Sequence, residues 1–270
     1  ADAVTFNDTP LVPGTTYFYR VYAVAEGVAS AALSGSQATD PPGVDTCVGA
    51  GGNWSDTATW TDGTVPTAAD NVTIGSGCTV TVDVTSAVAL NVTIDNGGTL
   101  QSPLTGTVVN NNLTIGGNLT NNGTLDFSTN SDTSAAILTF SGAGVPNVTF
   151  GGTGAVTDVR AITVAKGAQA NTVELSTSNF TVQGVNTDVA GFLTLTSGTF
   201  KVSGTFTVAN RVFTAAGYTI PAAGGFWLNN PNFTVAGQNG SPTVTGAFRV
   251  TQGVYNIGTA TGNSMGFGGG

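Results

Sequence analysis

Residues Cys47 to Thr81 read CVGAGGNWSDTATWTDGTVPTAADNVTIGSGCTVT, the densest local pattern in a chain of 270 residues. Trp54 and Trp60 lie six apart, so an extended strand would put both on one face. The intervening Ser-Asp-Thr-Ala-Thr reads instead as a turn, and both rings are expected to pack over the first coil of the downstream strands. Two short alternating segments come next, Asp70 to Ile74 and Cys78 to Asp83, separated by Gly-Ser-Gly. The only cysteines, Cys47 and Cys78, bracket the stretch. Their confinement to one motif points to a disulfide formed in an oxidising compartment, with two separate buried thiols as the alternative. Closing a loop of about 30 residues in this way is worth a few kcal/mol.

Downstream, apolar-Thr-apolar triplets recur at Val72–Ile74, Val92–Ile94, Leu113–Ile115, Leu138–Phe140, Ile162–Val164, Phe180–Val182, Phe206–Val208 and Phe233–Val235. They stand roughly 18 to 27 residues apart, the length of one solenoid coil. Further triplets at Val148–Phe150 and Leu193–Leu195 fall between them, as expected if each coil has more than one strand. In each triplet the outer residues point to one face and the Thr to the other, giving an apolar core and a Thr/Asn exterior. Pairs such as Asn96-Gly97, Gly116-Gly117, Asn122-Gly123 and Ser197-Gly198 punctuate the series. A parallel β-helix fits best, and a sandwich or barrel of hairpins is the alternative that the alternation also permits.

The run N-W-S-D-x-x-T-W-x-x-G-x-V-P-x-x-x-D-x-V-x-I resembles the G8-type module of bacterial surface proteins. That resemblance implies that the module opens a right-handed parallel β-helix. It makes Trp54, Trp60, Pro66, Asp70, Val72, Ile74, Val80 and Asp83 framework positions. It implies no particular activity, because such modules precede both enzymes and adhesins.

Upstream, Leu11-Val-Pro-Gly-Thr-Thr-Tyr17 forms a corner into a strand with Tyr17, Tyr19, Val21 and Ala23 on one face. Leu11, Pro13, Gly14, Tyr17, Tyr19, Val21, Ala23 and Leu33 resemble the E, F and G strands of a fibronectin type III domain. Such a sandwich needs about 100 residues, so its first half is expected beyond the given sequence or from another chain. The organisation expected is therefore an all-β chain: residues 1–41 a partial fibronectin type III-like segment, 42–46 a linker, 47–82 the G8-like module, and 83–270 the β-helix. The chain does not begin with Met and carries no signal peptide, so a mature or partial product is expected. The Gly-rich end, 258–270, reads as an uncapped coil.

Composition excludes several function classes. Charged residues are 8%, against about 25% in soluble domains. Six scattered basic residues and a net charge of −9 leave no footprint for nucleic acid. No run approaches the roughly 18 apolar residues of a membrane span. Histidine is absent, which removes His-based triads and the common zinc sites. Asp56, Asp62, Asp70 and Asp83 are weighed as calcium ligands, but no D-x-D-x-D loop is present and turn or cap roles are expected. No cofactor is expected. Sequons at Asn7, Asn53, Asn71, Asn91, Asn118 and Asn232 permit glycosylation without demonstrating it.

Clustered carboxylates with a Lys or Arg are the one catalytic pattern to test, as in a polysaccharide lyase or hydrolase. Asp126, Asp132, Asp158, Glu174 and Asp188 are the candidates, with Arg160, Lys166 or Lys201 as partners. Aromatic residues accumulate late in the chain. Trp227 and Tyr255 are candidate glycan contacts, with core stacking as the competing role. The function expected is a non-enzymatic, secreted or cell-surface structural protein that self-associates into a homopolymeric fibre, sheath or filament. A glycan-binding adhesin stalk is the alternative.

Overall fold

A computed structural model describes residues 15–25, 27–38, 43–189, 191–258 and 260–268. The chain divides into two compact units, Ala1–Gly43 and Val44–Gly270. The described residues are all-β, with a single 3-10 turn at Thr57–Thr59.

In the first unit, strand Thr16–Val21 pairs antiparallel with Leu33–Ala38, and Val24–Ala25 pairs with Val28–Ala29. Tyr17 and Tyr19 are half-buried, whereas Phe18, Val21 and Leu33 are exposed. Leu11, Pro13 and Gly14, which carry part of the fibronectin-like pattern, and the sequon at Asn7 lie outside the described residues.

The second unit is a β-solenoid of about nine turns. A first face stacks Val44–Thr46, Asn71–Ile74, Asn91–Ile94, Leu119–Asn121, Asn147–Gly151 and Thr172–Leu175 in parallel register. A second stacks Gly51–Asn53, Thr79–Thr81, Thr99–Gln101, Thr124–Asp126, Val156–Val159 and Thr181–Val182. A third begins with Ala87–Ala89, Asn111–Ile115, Ser134–Ser141 and Ala161–Ala165. Later strands run through corners, so that Leu193–Val202, Gly224–Val235 and Ala247–Tyr255 each serve two faces. Val44–Thr46, expected as linker, is the first strand of the solenoid, paired in parallel with Asn71–Ile74.

The triplet rule holds: Val72 and Ile74, Val92 and Ile94, and Leu138 and Phe140 are buried, with their central Thr half-buried on the outside. Each such buried side chain contributes roughly 1.5–3 kcal/mol. Core side chains change size along the axis. On the third face Ala89 is stacked by Ile115, Phe140 and Val164, and Phe180, Phe206 and Phe233 stack at 5.6 and 6.1 Å between ring centres.

Turn length varies more than the triplets suggest. Asn91 follows Asn71 by 20 residues, Asn118 follows Asn91 by 27, and Thr149 follows Asn118 by 31. The longest turn absorbs a hairpin in which Ser128–Thr129 folds back antiparallel on Ser134–Ser141. These same residues form a ladder at one corner. Asn91 Nδ2 donates to Asn71 Oδ1 at 2.7 Å, the Asn118 N–H donates to Asn91 Oδ1 at 2.6 Å, and the Thr149 N–H donates to Asn118 Oδ1 at 2.8 Å. The sequons at Asn71, Asn91 and Asn118 thus carry amides that are bonded between turns.

Candidate functional site

The first turn is closed by its own chain. Residues 54–62 fold over it: the Val48 N–H donates to Thr59 O at 2.9 Å, the Thr61 N–H to Thr46 O at 3.0 Å, and Cys47 bridges Trp60 antiparallel. Trp54 and Trp60 are buried beneath this cap, edge to face at 5.0 Å, with Trp60 Nε1 donating to Trp54 O at 2.9 Å. A disulfide joins Cys47 to Cys78 across 31 positions and ties the first turn to the second. Pro66 is buried in the segment leading to the second turn.

Each aspartate weighed as a calcium ligand is engaged as an acceptor, Asp56, Asp62 and Asp70 from residues two or three positions away and Asp83 from the preceding turn. Asp56 accepts from the Ala58 N–H at 2.9 Å and so caps the 3-10 turn. Asp62 accepts from the N–H and hydroxyl of Thr64, both at 2.8 Å. Asp70 accepts from the N–H and hydroxyl of Thr67, at 2.8 and 2.7 Å. Asp83 accepts from the N–H and hydroxyl of Ser55, at 3.1 and 2.6 Å. Among the described residues no group of three or more His, Cys, Asp or Glu is placed to hold a metal ion. The sequence reading missed Asp45. Its side chain occupies a core position of the first turn, 1% exposed, with Oδ1 unpartnered. Burial, with the Asp62 and Asp70 carboxylates nearby, pushes its carboxyl up to about 6.

Of the carboxylates weighed for catalysis, the register brings three together. Asp126 and Asp158 are direct partners on adjacent turns of the second face, where rungs lie about 4.8 Å apart. Asp132 approaches them from the hairpin, and Arg160 Nη1 donates to the Asp132 carbonyl. Burial raises both Asp126 and Asp158, and the Asp132 charge adds to each. Asn130, Ser131 and Asp132 all have positive φ, at 51°, 54° and 65°. Asp158 is nevertheless fully engaged as an acceptor, bonded by the Thr181 hydroxyl at 2.6 Å and the Gly184 N–H at 2.9 and 3.0 Å. That arrangement anchors the loop after Val182.

The other candidates lie elsewhere. Asp188 pairs with Arg211 at 3.0 Å, and Glu174 with Lys201 at 2.8 Å. Lys166 is fully buried, where Nζ donates to Gly116 O at 2.8 Å and Ser141 O at 3.2 Å.

Trp227 and Tyr255 are not brought together. Trp227 faces outward on the first face, in a column running Glu174, Lys201, Trp227, Arg249 on successive turns. Lys201 Nζ lies 4.5 Å and the Arg249 guanidinium 4.3 Å from its ring centre, so neighbouring cations occupy the ring. Tyr255 packs against Phe226 and Phe248, its hydroxyl bonded to that of Tyr218. Burial raises the Tyr255 phenol. With Phe248, Val250, Ile257, Met265 and Phe267 it lines an apolar recess of about 430 Å³ at the last described turn.

Parallel strand stacking and inward apolar columns define the second unit as a β-solenoid. Within it, residues 59–168 match the family model described as G8 domain. The match begins inside the cap and runs past residue 82, through several turns of the stack. No curated protein and no solved structure matches the chain. No helix among the described residues is long and apolar enough to cross a membrane.

Proposed function

We propose that the protein is an extracellular structural subunit that builds a cell-surface fibre, sheath or filament by self-association. The observation that carries this reading is the apolar recess at the last described turn, walled by Phe248, Val250, Tyr255, Ile257, Met265 and Phe267. Phe267 is 69% and Val250 41% exposed, and apolar clusters of this kind at a surface mark contact sites. The Thr/Asn exterior and the sparse charge fit a passive, extended scaffold. The same proposal takes the solenoid as right-handed, the first unit as fibronectin type III-like, and the setting as a bacterial surface. The Cys47–Cys78 disulfide supports an oxidising compartment. Electron microscopy of the purified chain tests it: filaments with a regular axial repeat are expected, and isolated short rods at all concentrations overturn it.

A second reading, a glycan-binding stalk, rests on Trp227 in the outward column of the first face, where a sugar would have to displace Lys201 or Arg249 from the ring. A glycan array compared with its Trp227→Ala counterpart tests that reading. Hits lost on substitution support it, and hits unchanged overturn it.

A further inference from the structure

Asp45 points into the solenoid where an apolar side chain is the rule. Its strand pairs in parallel with Asn71–Ile74, and it stands on Val72, a core residue. It is 1% exposed, and its Oδ1 has no hydrogen-bond partner. The Cys47–Trp60 bridge, continued by the bond from the Thr61 N–H to Thr46 O, sets Asp62 opposite it. The two carboxyl groups lie within hydrogen-bonding reach of each other, and the charge of Asp70 reaches Asp45 as well. Ionised carboxylates only accept, so this contact is repulsive until something positive lies between them.

The neighbouring turns supply no such charge. From Val44 to Val159 the chain carries nine Asp and no Lys or Arg. The ion pairs among the described residues, Glu174–Lys201 and Asp188–Arg211, lie on later turns. Asp62 is exposed, so the pair opens to solvent on its side. Each Asp62 oxygen accepts one bond from Thr64 and keeps a second lone pair.

We infer that Asp45 and Asp62 share a hard divalent cation of the calcium class, bound between the first strand of the solenoid and the segment folded over it. Calcium takes roughly six to eight oxygens, with carbonyl groups and water among them. Two carboxylates, with Asp70 as a nearby charge, are therefore enough without a group of three placed to bind, which the described residues do not contain. The cation ties the cap to the first turn, whereas the Cys47–Cys78 disulfide ties the first turn to the second. A shared proton is the competing way to neutralise the pair, and added calcium tells the two apart.

Thermal melts of the full chain at pH 7, after dialysis against EDTA and then with CaCl2, test this. Calcium at about 100 times its dissociation constant is expected to raise Tm by about 5 °C. NaCl of equal ionic strength is expected not to do so. In chelator Asp45→Asn is the more stable protein, because the repulsion is gone; in calcium the parent gains and the variant does not. Asp95→Asn, on an exposed turn, keeps the parent's response. Tb³⁺ gives a second readout through Trp60, which precedes Asp62 by two positions. Sensitised emission is expected in the parent, displaced by calcium and lost in Asp45→Asn. If Asp45→Asn does not fold, Asp62→Asn, which keeps an acceptor for the Thr64 N–H, is read in its place. A parent Tm indifferent to calcium, or a calcium response kept by the variant, overturns the inference and leaves a shared proton between the two carboxyls.

Discussion

Lys166 Nζ donates to the carbonyl of Gly116, fifty residues earlier, at 2.8 Å, and to that of Ser141, the corner between them, at 3.2 Å. One side chain therefore straps three successive corners of the stack. It does so as a fully buried cation, and burial draws its ammonium down from 10.5 to about 8.

The pH dependence comes from that depressed value. Between about 8 and 10.5 the unfolded chain holds a proton that the folded chain has released. This group's contribution therefore makes stability rise with pH across that window. The neutral amine still has two hydrogens for the two carbonyls. Lys166→Met is expected to abolish the rise and to destabilise the fold at pH 7 by about 1–3 kcal/mol, since two buried carbonyls lose their donor. Denaturant titrations of both proteins between pH 7 and 10.5 measure this.

Asp45 titrates in the opposite sense. Its folded value, about 6, lies above the ordinary 3.8. Its contribution is therefore full below about 3.8 and is lost as pH rises through 6. Continuing the register of the Cys47–Trp60 bridge sets Asp45 opposite Asp62, which explains why ionising both is unfavourable. Asp45→Asn is expected to be more stable than the parent at pH 7, by up to about 3 kcal/mol at 1.36 kcal/mol per unit. The advantage should vanish near pH 4. Thermal melts at the two pH values decide it, and an unchanged difference overturns the assignment.

How much of this was legible in the sequence depends on whether a residue acts along the chain or across turns. Val72-Thr73-Ile74 and its successors announce buried alternation because a strand's inside and outside alternate locally. They do not announce which face they occupy. The clearest triplet lies on the first face at Val92–Ile94, on the third at Leu138–Phe140 and on the second at Phe233–Val235. Asp45 escaped notice because a carboxylate at an inward position breaks the apolar pattern that would reveal it. Lys166 was weighed as a catalytic partner, yet its use depends on Gly116 and Ser141, which only the stacking brings to it. The stacking of Asp126 on Asp158 depended likewise on a register that local sequence does not encode.

The asparagine ladder gives a graded test. Asn91 both donates to Asn71 and accepts from the Asn118 N–H. Asn91→Asp keeps the acceptor but sets a carboxylate against Asn71 Oδ1, whereas Asn91→Ala removes both bonds. Each bond is worth about 0.5–1.5 kcal/mol. Asn91→Ala is therefore expected to lose about 1–3 kcal/mol in denaturant unfolding. Hydrogen exchange should show the added opening at the Asn118 amide, the group left without its acceptor. Equal protection in parent and variant would mean that the ladder is ornamental to stability.

Gly152 tests the tightness of the corner between the first and second faces. Its φ is +116°, which L side chains rarely adopt. A Cβ built there would sit 2.0 Å from the carbonyl oxygen of Asn121 and 2.5 Å from its carbonyl carbon. Those are backbone atoms of the preceding turn, so no rotamer change relieves the clash. Asn121 is also committed through its side chain, with Nδ2 donating to Val156 O at 2.6 Å and to the Thr157 hydroxyl at 2.9 Å. Gly152→Ala must therefore part the two turns or distort the corner, at a cost of about 3 kcal/mol or more, in the range of strained or overpacked sites. By contrast, Gly142, also at positive φ but with nothing within 4 Å of its Cβ position, meets only the backbone penalty. Gly142→Ala is expected to cost about 1–2 kcal/mol. A melting-temperature comparison of the two variants separates steric closeness from backbone strain, and equal losses at both sites would mean that the turns are not in contact at Gly152.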